Sequence, residues 1–188
     1  MNSIEVSTAI ENRRAYRSLD KVDITDDLIN QLGRAASLAP SCFNKQPWRY
    51  VFVYNKRQLK TLHTSLPDGN AWAKDGSLII AVVSSKDMDC VVSGREYFLF
   101  DVGLSCANLI LRATELNLVA HPIAGYDEDK VKKILNIPDE KTVITLIIIG
   151  KHRKGDNPNL TDNQKERELK RPVRLPLEKI VFHNHYHS

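Results

Sequence analysis

Ala39-Pro40-Ser41-Cys42-Phe43-Asn44-Lys45-Gln46-Pro47-Trp48 joins two segments of different periodicity. Before it, Thr25 precedes Asp26-Asp27-Leu28-Ile29 and a run to Ala39. Thr25 is a good N-cap, and Asp26 and Asp27 suit the positive end of a helix dipole. Leu28, Ile29, Leu32, Ala35 and Ala36 then share one helical face. Pro40 cannot continue that helix. After the loop, Arg49-Tyr50-Val51-Phe52-Val53-Tyr54 reads as a strand. Two prolines stiffen the connection, and Ser41, Asn44 and Gln46 place short hydrogen-bonding groups between them. Such a loop suits the edge of a heteroaromatic ring with alternating donors and acceptors. The same residues also suit a turn that caps its own backbone.

Working outward, residues 3–12 read as a short helix with Ile4, Val6 and Ile10 as its apolar positions, and residues 57–65 as another. Leu78–Ser84 reads as a strand apolar on both faces, hence fully buried. Residues 96–117 form the longest helix, apolar nearly all round but too interrupted by Asp101, Asn108, Arg112 and Glu115 to be a membrane span. Such a helix is buried in a core or between subunits. A short strand over 118–122 follows, then a helix over 127–135 opened by Asp127. A buried strand spans 143–149, closed by Gly150. Residues 151–172 are polar, with a helical turn or two near 162–170, and 177–184 alternate like a strand. Strands interleaved with helices predict one domain over 1–188, an α+β three-layer α/β/α sandwich with a central mixed sheet flanked by helices. No strand leads into Gly-x-Gly-x-x-Gly, so nothing supports a Rossmann dinucleotide site.

The 188 residues suffice for a core that needs neither disulfide nor metal. A net charge of +4 is too mild to argue for a nucleic-acid partner. The excess sits in Lys151–Lys154 and in 165–174, as a solvated loop or a local anion site. Cys42, Cys90 and Cys106 match no metal motif and read as reduced thiols. The first fourteen residues lack the apolar core of a signal peptide, and no segment approaches the roughly 20 apolar residues of a membrane span. A soluble, cytoplasmic protein without a membrane partner is expected.

Two further segments carry chemistry. Arg13-Arg14-Ala15-Tyr16-Arg17 packs three guanidiniums into five residues. Each is a rigid fork of donors matched to phosphate or carboxylate; the alternative is a solvated face. Pro122-Ile123-Ala124-Gly125-Tyr126 is either a simple strand-to-helix turn or a place where the backbone approaches a ligand, which Gly125 permits.

In this order and spacing the three segments resemble the FMN-dependent nitroreductase family. Pro-Ser-x-x-Asn-x-Gln-Pro-Trp is the most specific element. The long helix, Pro-Ile-x-Gly-Tyr and the strand ending at Gly150 follow the same pattern. The resemblance covers about Arg13 to Arg174. It implies FMN bound by Arg13, Arg14, Ala15 and Arg17, and by Arg174 at the phosphate. It implies that Pro40, Ser41, Asn44 and Gln46 reach the flavin from the other subunit. Pro122, Ile123, Ala124 and Gly125 would line the ring edge, with a backbone N–H near Ala124 directed at N5. It further implies an intertwined homodimer, with the long helix at the interface and residues 175–188 extending onto the partner.

Three positions depart from the family pattern. Ala15 stands where many relatives have Ser. Pro172 stands where many carry a second basic residue, a role left to Arg171 or Lys170. Ala124 replaces an acidic residue or Gly. The function expected is hydride transfer from NADH or NADPH to an electron-poor acceptor such as a nitroaromatic or quinone, with no catalytic acid or nucleophile from the protein. The alternative is a flavin-binding module for storage or sensing, without turnover. No metal is expected. His183, His185 and His187 would share a face on a strand, but a loose terminus is the plainer reading. Cys42 reads as a small packed side chain, because no second cysteine is near it in sequence.

Overall fold

The computed structural model of the chain describes residues 5–186. Ile4 and His187 therefore lie outside the described residues. The helix after Thr25 forms as α2 (Asp26–Ser37), and the Thr25 hydroxyl accepts from the Leu28 N–H at 3.1 Å. The strand beyond the loop forms as β2 (Arg49–Val53). Ahead of them lie α1 (Val6–Asn12) and a two-residue β1 (Leu19–Asp20). After them come α3 (Lys56–Leu62) and β3 (Leu78–Ser84), then a hairpin of β4 (Val91–Val92) and β5 (Arg95–Glu96). The chain continues as α4 (Phe98–Glu115), β6 (Val119–Ile123), α5 (Glu128–Leu135), β7 (Thr142–His152) and α6 (Asp162–Leu169).

The sheet has the order β1-β7-β3-β2, and β6 also pairs with β7. β7 is the axis of the molecule. One side carries β3, and the other carries β6 over Leu146–Gly150 and β1 over Lys151–His152. The strand does not close at Gly150 as expected, because β1 prolongs the ladder. A Cβ on Gly150 would meet the Asp20 carbonyl oxygen and Leu19 Cβ at 3.2 Å, so glycine allows β1 to approach. The sheet also departs from the expected mixed pattern: every pairing among the described residues is antiparallel. β3 and β6 do run the same way, but β7 lies between them, so the like-directed strands never meet.

Both sheet faces are covered. Leu78, Ile80 and Val82 pack with Leu32 and Ala36 of α2 and with Val102, Leu109 and Ala113 of α4. Ile79, Ala81 and Val83 face the other way, against Leu59 and Leu62 of α3, Val131 of α5, and Trp72. The β3–β7 register slips between Val82 and Val83, which oppose Thr145 and Val143. That bulge puts Val143 and Leu146 on one face despite their odd spacing.

Two expectations change. The long helix is buried along Phe98, Asp101, Val102, Ser105, Leu109 and Ala113, while Leu99 and Phe100 stay 53% and 62% exposed. Asp101, read as an interruption, is part of the buried face. The tail does not form a strand either: Leu177–Lys179 is a single 3-10 turn. A strand needs a neighbour to hydrogen-bond, and no sheet edge of the protomer pairs with the tail among the described residues.

Candidate functional site

Arg13 stands where α1 ends, with backbone angles of −56° and 121° that stop the helix. The chain from Arg13 to Arg17 leads into β1 at the margin of the sheet. Residues after α6 return to it, and together they enclose a cavity of about 180 Å³. Arg13, Arg14, Ala15 and Arg17 line it from the N-terminal side of the sequence. Arg167, Arg171, Pro172 and Arg174 line it from the C-terminal side, and His121 of β6 completes it.

The six guanidiniums divide by role. Arg14 builds the wall: it donates to the Arg167 carbonyl at 2.8 Å and to the Tyr16 hydroxyl at 3.2 Å, and it lies 4.4 Å over the Tyr16 ring. Arg171 donates to the backbone carbonyls of Glu11 and Arg13. Among the described residues, no ion pair involves any of the six. Glu168 is occupied elsewhere, accepting from the backbone N–H groups of Arg17 and Ser18 at 2.8 and 3.2 Å. The consequence is visible in the electrostatics. The Arg13 guanidinium is held below its ordinary pKa, first by burial and then by the like charges of Arg171 and Arg174. Arg17 is lowered too, first by burial, with Glu168 partly offsetting it. Uncompensated positive charge in a small cavity attracts an anion and loses its cost when one arrives.

His121 occupies the middle of β6, between Val119 and Ile123 on the same face. Its Nδ1 lies 2.9 Å from the Tyr16 carbonyl oxygen, and its ring lies 4.5 Å from Trp72. Burial, first of all, pushes its pKa down to about 4, so the ring is neutral at neutral pH and Nδ1–H is the donor. Arg17 lies 5.9 Å from the centre of the same Trp72 ring. Asn70, two residues before, donates to the Gly125 carbonyl at 2.8 Å. The Arg13–Arg17 and Pro122–Tyr126 segments are thus neighbours, connected through His121, Trp72 and Asn70. Pro122, Ala124 and Gly125 are exposed and Ile123 is buried. At Gly125 the close approach comes from Asn70, whose Nδ2 would be 2.9 Å from an added Cβ.

The Pro40–Gln46 loop lies apart from the cavity, beside the start of β2. β2 and β6 are separated by β7 and β3, three strand spacings or roughly 14 Å. The loop does cap itself: Gln46 N–H donates to Ser41 Oγ at 2.9 Å, and Gln46 Nε2 to the Asn44 carbonyl at 3.2 Å. Phe43, Asn44 and Gln46 all have positive φ, at 47°, 56° and 49°. That is an uncommon backbone for residues other than glycine. Its anchor is Asp101, 2% exposed, whose carboxylate accepts from Cys42 N–H at 2.6 Å.

Arg171, not Lys170, enters the cavity beside Arg174. His121, Arg167 and Asp101 were missed by the sequence reading. Period-two alternation along 119–123 puts His121 on a buried face and was the available signal. Asp101 offered none, since a helical carboxylate reads as solvated until its partner is known. Among the described residues no cluster suited to a metal ion occurs, and no helix is long and apolar enough to cross a membrane.

This geometry agrees with what the chain is similar to. The family model for the nitroreductase family matches residues 10–74 and 69–151. A protein of Methanothermobacter thermautotrophicus, provisionally named an NADH dehydrogenase/NAD(P)H nitroreductase, is 26% identical over 95% of this chain and 90% of its own length. A Bacillus subtilis protein, provisionally named NAD(P)H nitroreductase MhqN, is 26% identical over 87% of this chain and 92% of its own. A crystal structure described as an oxidoreductase containing FMN superposes with a TM-score of 0.85 at 27% identity, covering 100% of this chain and 96% of that one. With the family model spanning most of the chain and both sheet faces built as described, this protein belongs to the nitroreductase family.

Proposed function

We propose that the chain is an FMN-dependent oxidoreductase, active as a homodimer, that passes hydride from NADH or NADPH to a flat, electron-poor acceptor such as a nitroaromatic or quinone. The observation that carries this reading is the arginine cavity: six guanidiniums without an ion-pair partner among the described residues, in a space of about 180 Å³. A phosphate dianion fits that chemistry in charge and in donor geometry. Arg13, Arg17 and Arg174 would hold it. Arg14 and Arg171 fix the walls, and Ala15 keeps the wall backbone close. From this end, Pro122, Ile123, Ala124 and Gly125 would line the edge of the ring, with a backbone donor near Ala124. Bound FMN would supply the hydride acceptance and donation that no side chain here supplies.

The protein's part is to bind, orient and polarise. Positive charge beside the cofactor favours its reduced, anionic form. No residue in the site is arranged as a nucleophile with a base, and the reaction needs none. The relatives' names support a nicotinamide donor.

The second subunit enters because the site is incomplete in one chain. Pro40, Ser41, Asn44 and Gln46 lie too far across the sheet to reach the cavity of their own protomer, so they would cover the partner's flavin. The exposed Leu99 and Phe100 on α4 and the exposed Leu175, Leu177, Ile180 and Val181 of the tail are apolar surface that the described residues of their own protomer leave uncovered. In this reading residues 1–188 form one domain whose segment 175–188 wraps the partner. The test is to purify the protein and denature it. It should be yellow, release FMN, and have the mass of two chains while the flavin is bound. A colourless protein that also fails to take up added FMN would overturn the reading.

A further inference from the structure

The arginine cavity holds one side chain of a different kind. Arg13, Arg14, Arg17, Arg167, Arg171 and Arg174 can only donate hydrogen bonds, and Ala15 and Pro172 bring no polar side chain. That leaves His121. It is 6% exposed, and its ring is fixed on two sides. Nδ1 lies 2.9 Å from the Tyr16 carbonyl oxygen, and the ring centre lies 4.5 Å from that of Trp72. With Nδ1–H donating to Tyr16, a neutral ring carries a bare lone pair on Nε2. No group among the described residues donates to that lone pair. Nor does Nε2 belong with the buried unpartnered atoms, which among the described residues are Ser18 Oγ, His63 Nε2 and Asp89 Oδ2. Nε2 is therefore reachable, and the surface His121 keeps is on the cavity wall.

Burial first, and then the charges of Arg17 and Arg13, oppose a second proton on the ring, with the Tyr16 carbonyl offsetting part of this. Nε2 thus stays an acceptor in a cavity otherwise lined by donors. A phosphate dianion satisfies the guanidiniums but has no hydrogen to give. The group that matches Nε2 is a hydroxyl next to the anion. Its place along the ligand follows from β6, which runs from His121 directly into Pro122 and Ile123. His121 lies between the arginines and the segment that would line the ring edge, where the chain linking phosphate to flavin would pass. We propose that His121 Nε2 accepts a hydrogen bond from a hydroxyl of the FMN ribityl chain, so that His121 selects a polyol phosphate over a plain alkyl phosphate. This assignment rests on the proposal that FMN is the cofactor.

The competing probe is a flavin phosphate whose ribityl group is replaced by an unhydroxylated alkyl chain of the same length. Purified holoprotein is equilibrated with graded amounts of it, free flavin is filtered away, and the two bound flavins are quantified by chromatography. The ratio of affinities should favour FMN in the parent and fall by about two- to ten-fold in His121→Phe, the share of one neutral hydrogen bond. The same ratio in both proteins, with both flavins bound, would overturn the role of His121 and leave FMN as the cofactor. A protein that holds neither flavin refutes the cofactor, and the role of His121 with it. A second measurement needs no variant: the nitrogen-15 spectrum of the parent labelled at histidine. Nε2 of His121 should be unprotonated with either flavin, and its resonance should differ between them, because only FMN donates to it. A protonated Nε2 in the FMN complex, or one resonance position for both flavins, would overturn the proposal even if His121→Phe does not fold.

Discussion

Replacing Arg13 by Met separates the phosphate claim from a general loss of structure. Among the described residues Arg13 has no ion-pair partner; it is held below its ordinary pKa by burial and is repelled by Arg171 and Arg174. Met keeps the apolar stem and removes the charge. Without cofactor, the variant should melt no lower than the parent, because a repelled, half-buried charge has been taken away. With FMN the sign reverses. One charge-assisted contact to phosphate is lost, worth about 1.5–3 kcal/mol, which weakens FMN roughly ten- to a hundred-fold. The assay is quenching of flavin fluorescence as apoprotein is titrated in, at one fixed salt concentration. Riboflavin, which lacks the phosphate, is the internal comparison and should bind both proteins alike. The reasoning fails if Arg13→Met leaves FMN affinity unchanged, or if riboflavin loses as much as FMN does.

Three other outcomes follow from the same structure. His121 has its folded pKa depressed to about 4, so between about 6.5 and that value the unfolded chain binds the extra proton; stability rises with pH in this window and is lost as pH falls through it, by about 3 kcal/mol in all. Urea unfolding at several pH values should show a flatter dependence for His121→Phe than for the parent, and parallel curves would refute the assignment. Asp101→Ala removes the buried acceptor of Cys42 N–H, costing about 1.5–3 kcal/mol; limited proteolysis should then cut within residues 41–46, and an uncut loop with an unchanged melting temperature would show that the anchor lies elsewhere. Deleting residues 175–188 should lower dimer content and flavin content together, and light scattering that finds a monomer with a full complement of FMN would sink the shared site.

What the sequence disclosed was mostly local. Thr25, Asp127 and Pro40 mark helix boundaries through caps and a missing N–H, and the structure uses Thr25 and Asp127 as caps. Leu78–Ser84 is apolar on both faces and is buried along its whole length. The arginine cluster was legible as an anion site only with its distant complement, and the cavity supplied that by bringing Arg167, Arg171 and Arg174 to Arg13. Non-local features were hidden. The β4–β5 hairpin turns on Ser93-Gly94, both with positive φ, a short signal inside a polar stretch. The tail alternates like a strand, yet pattern alone does not provide the neighbouring edge a strand requires. Cys42 and Asp101 meet through one backbone N–H, a relation that no spacing in the sequence encodes.

The account stands or falls on electron transfer. The most direct measurement is the absorption spectrum of the purified protein, kept free of oxygen, as NADH and then NADPH is added. The yellow colour should bleach with at least one nicotinamide and return when a quinone is supplied. Colour that persists in the presence of both would contradict the oxidoreductase claim and leave a protein that only stores or senses flavin.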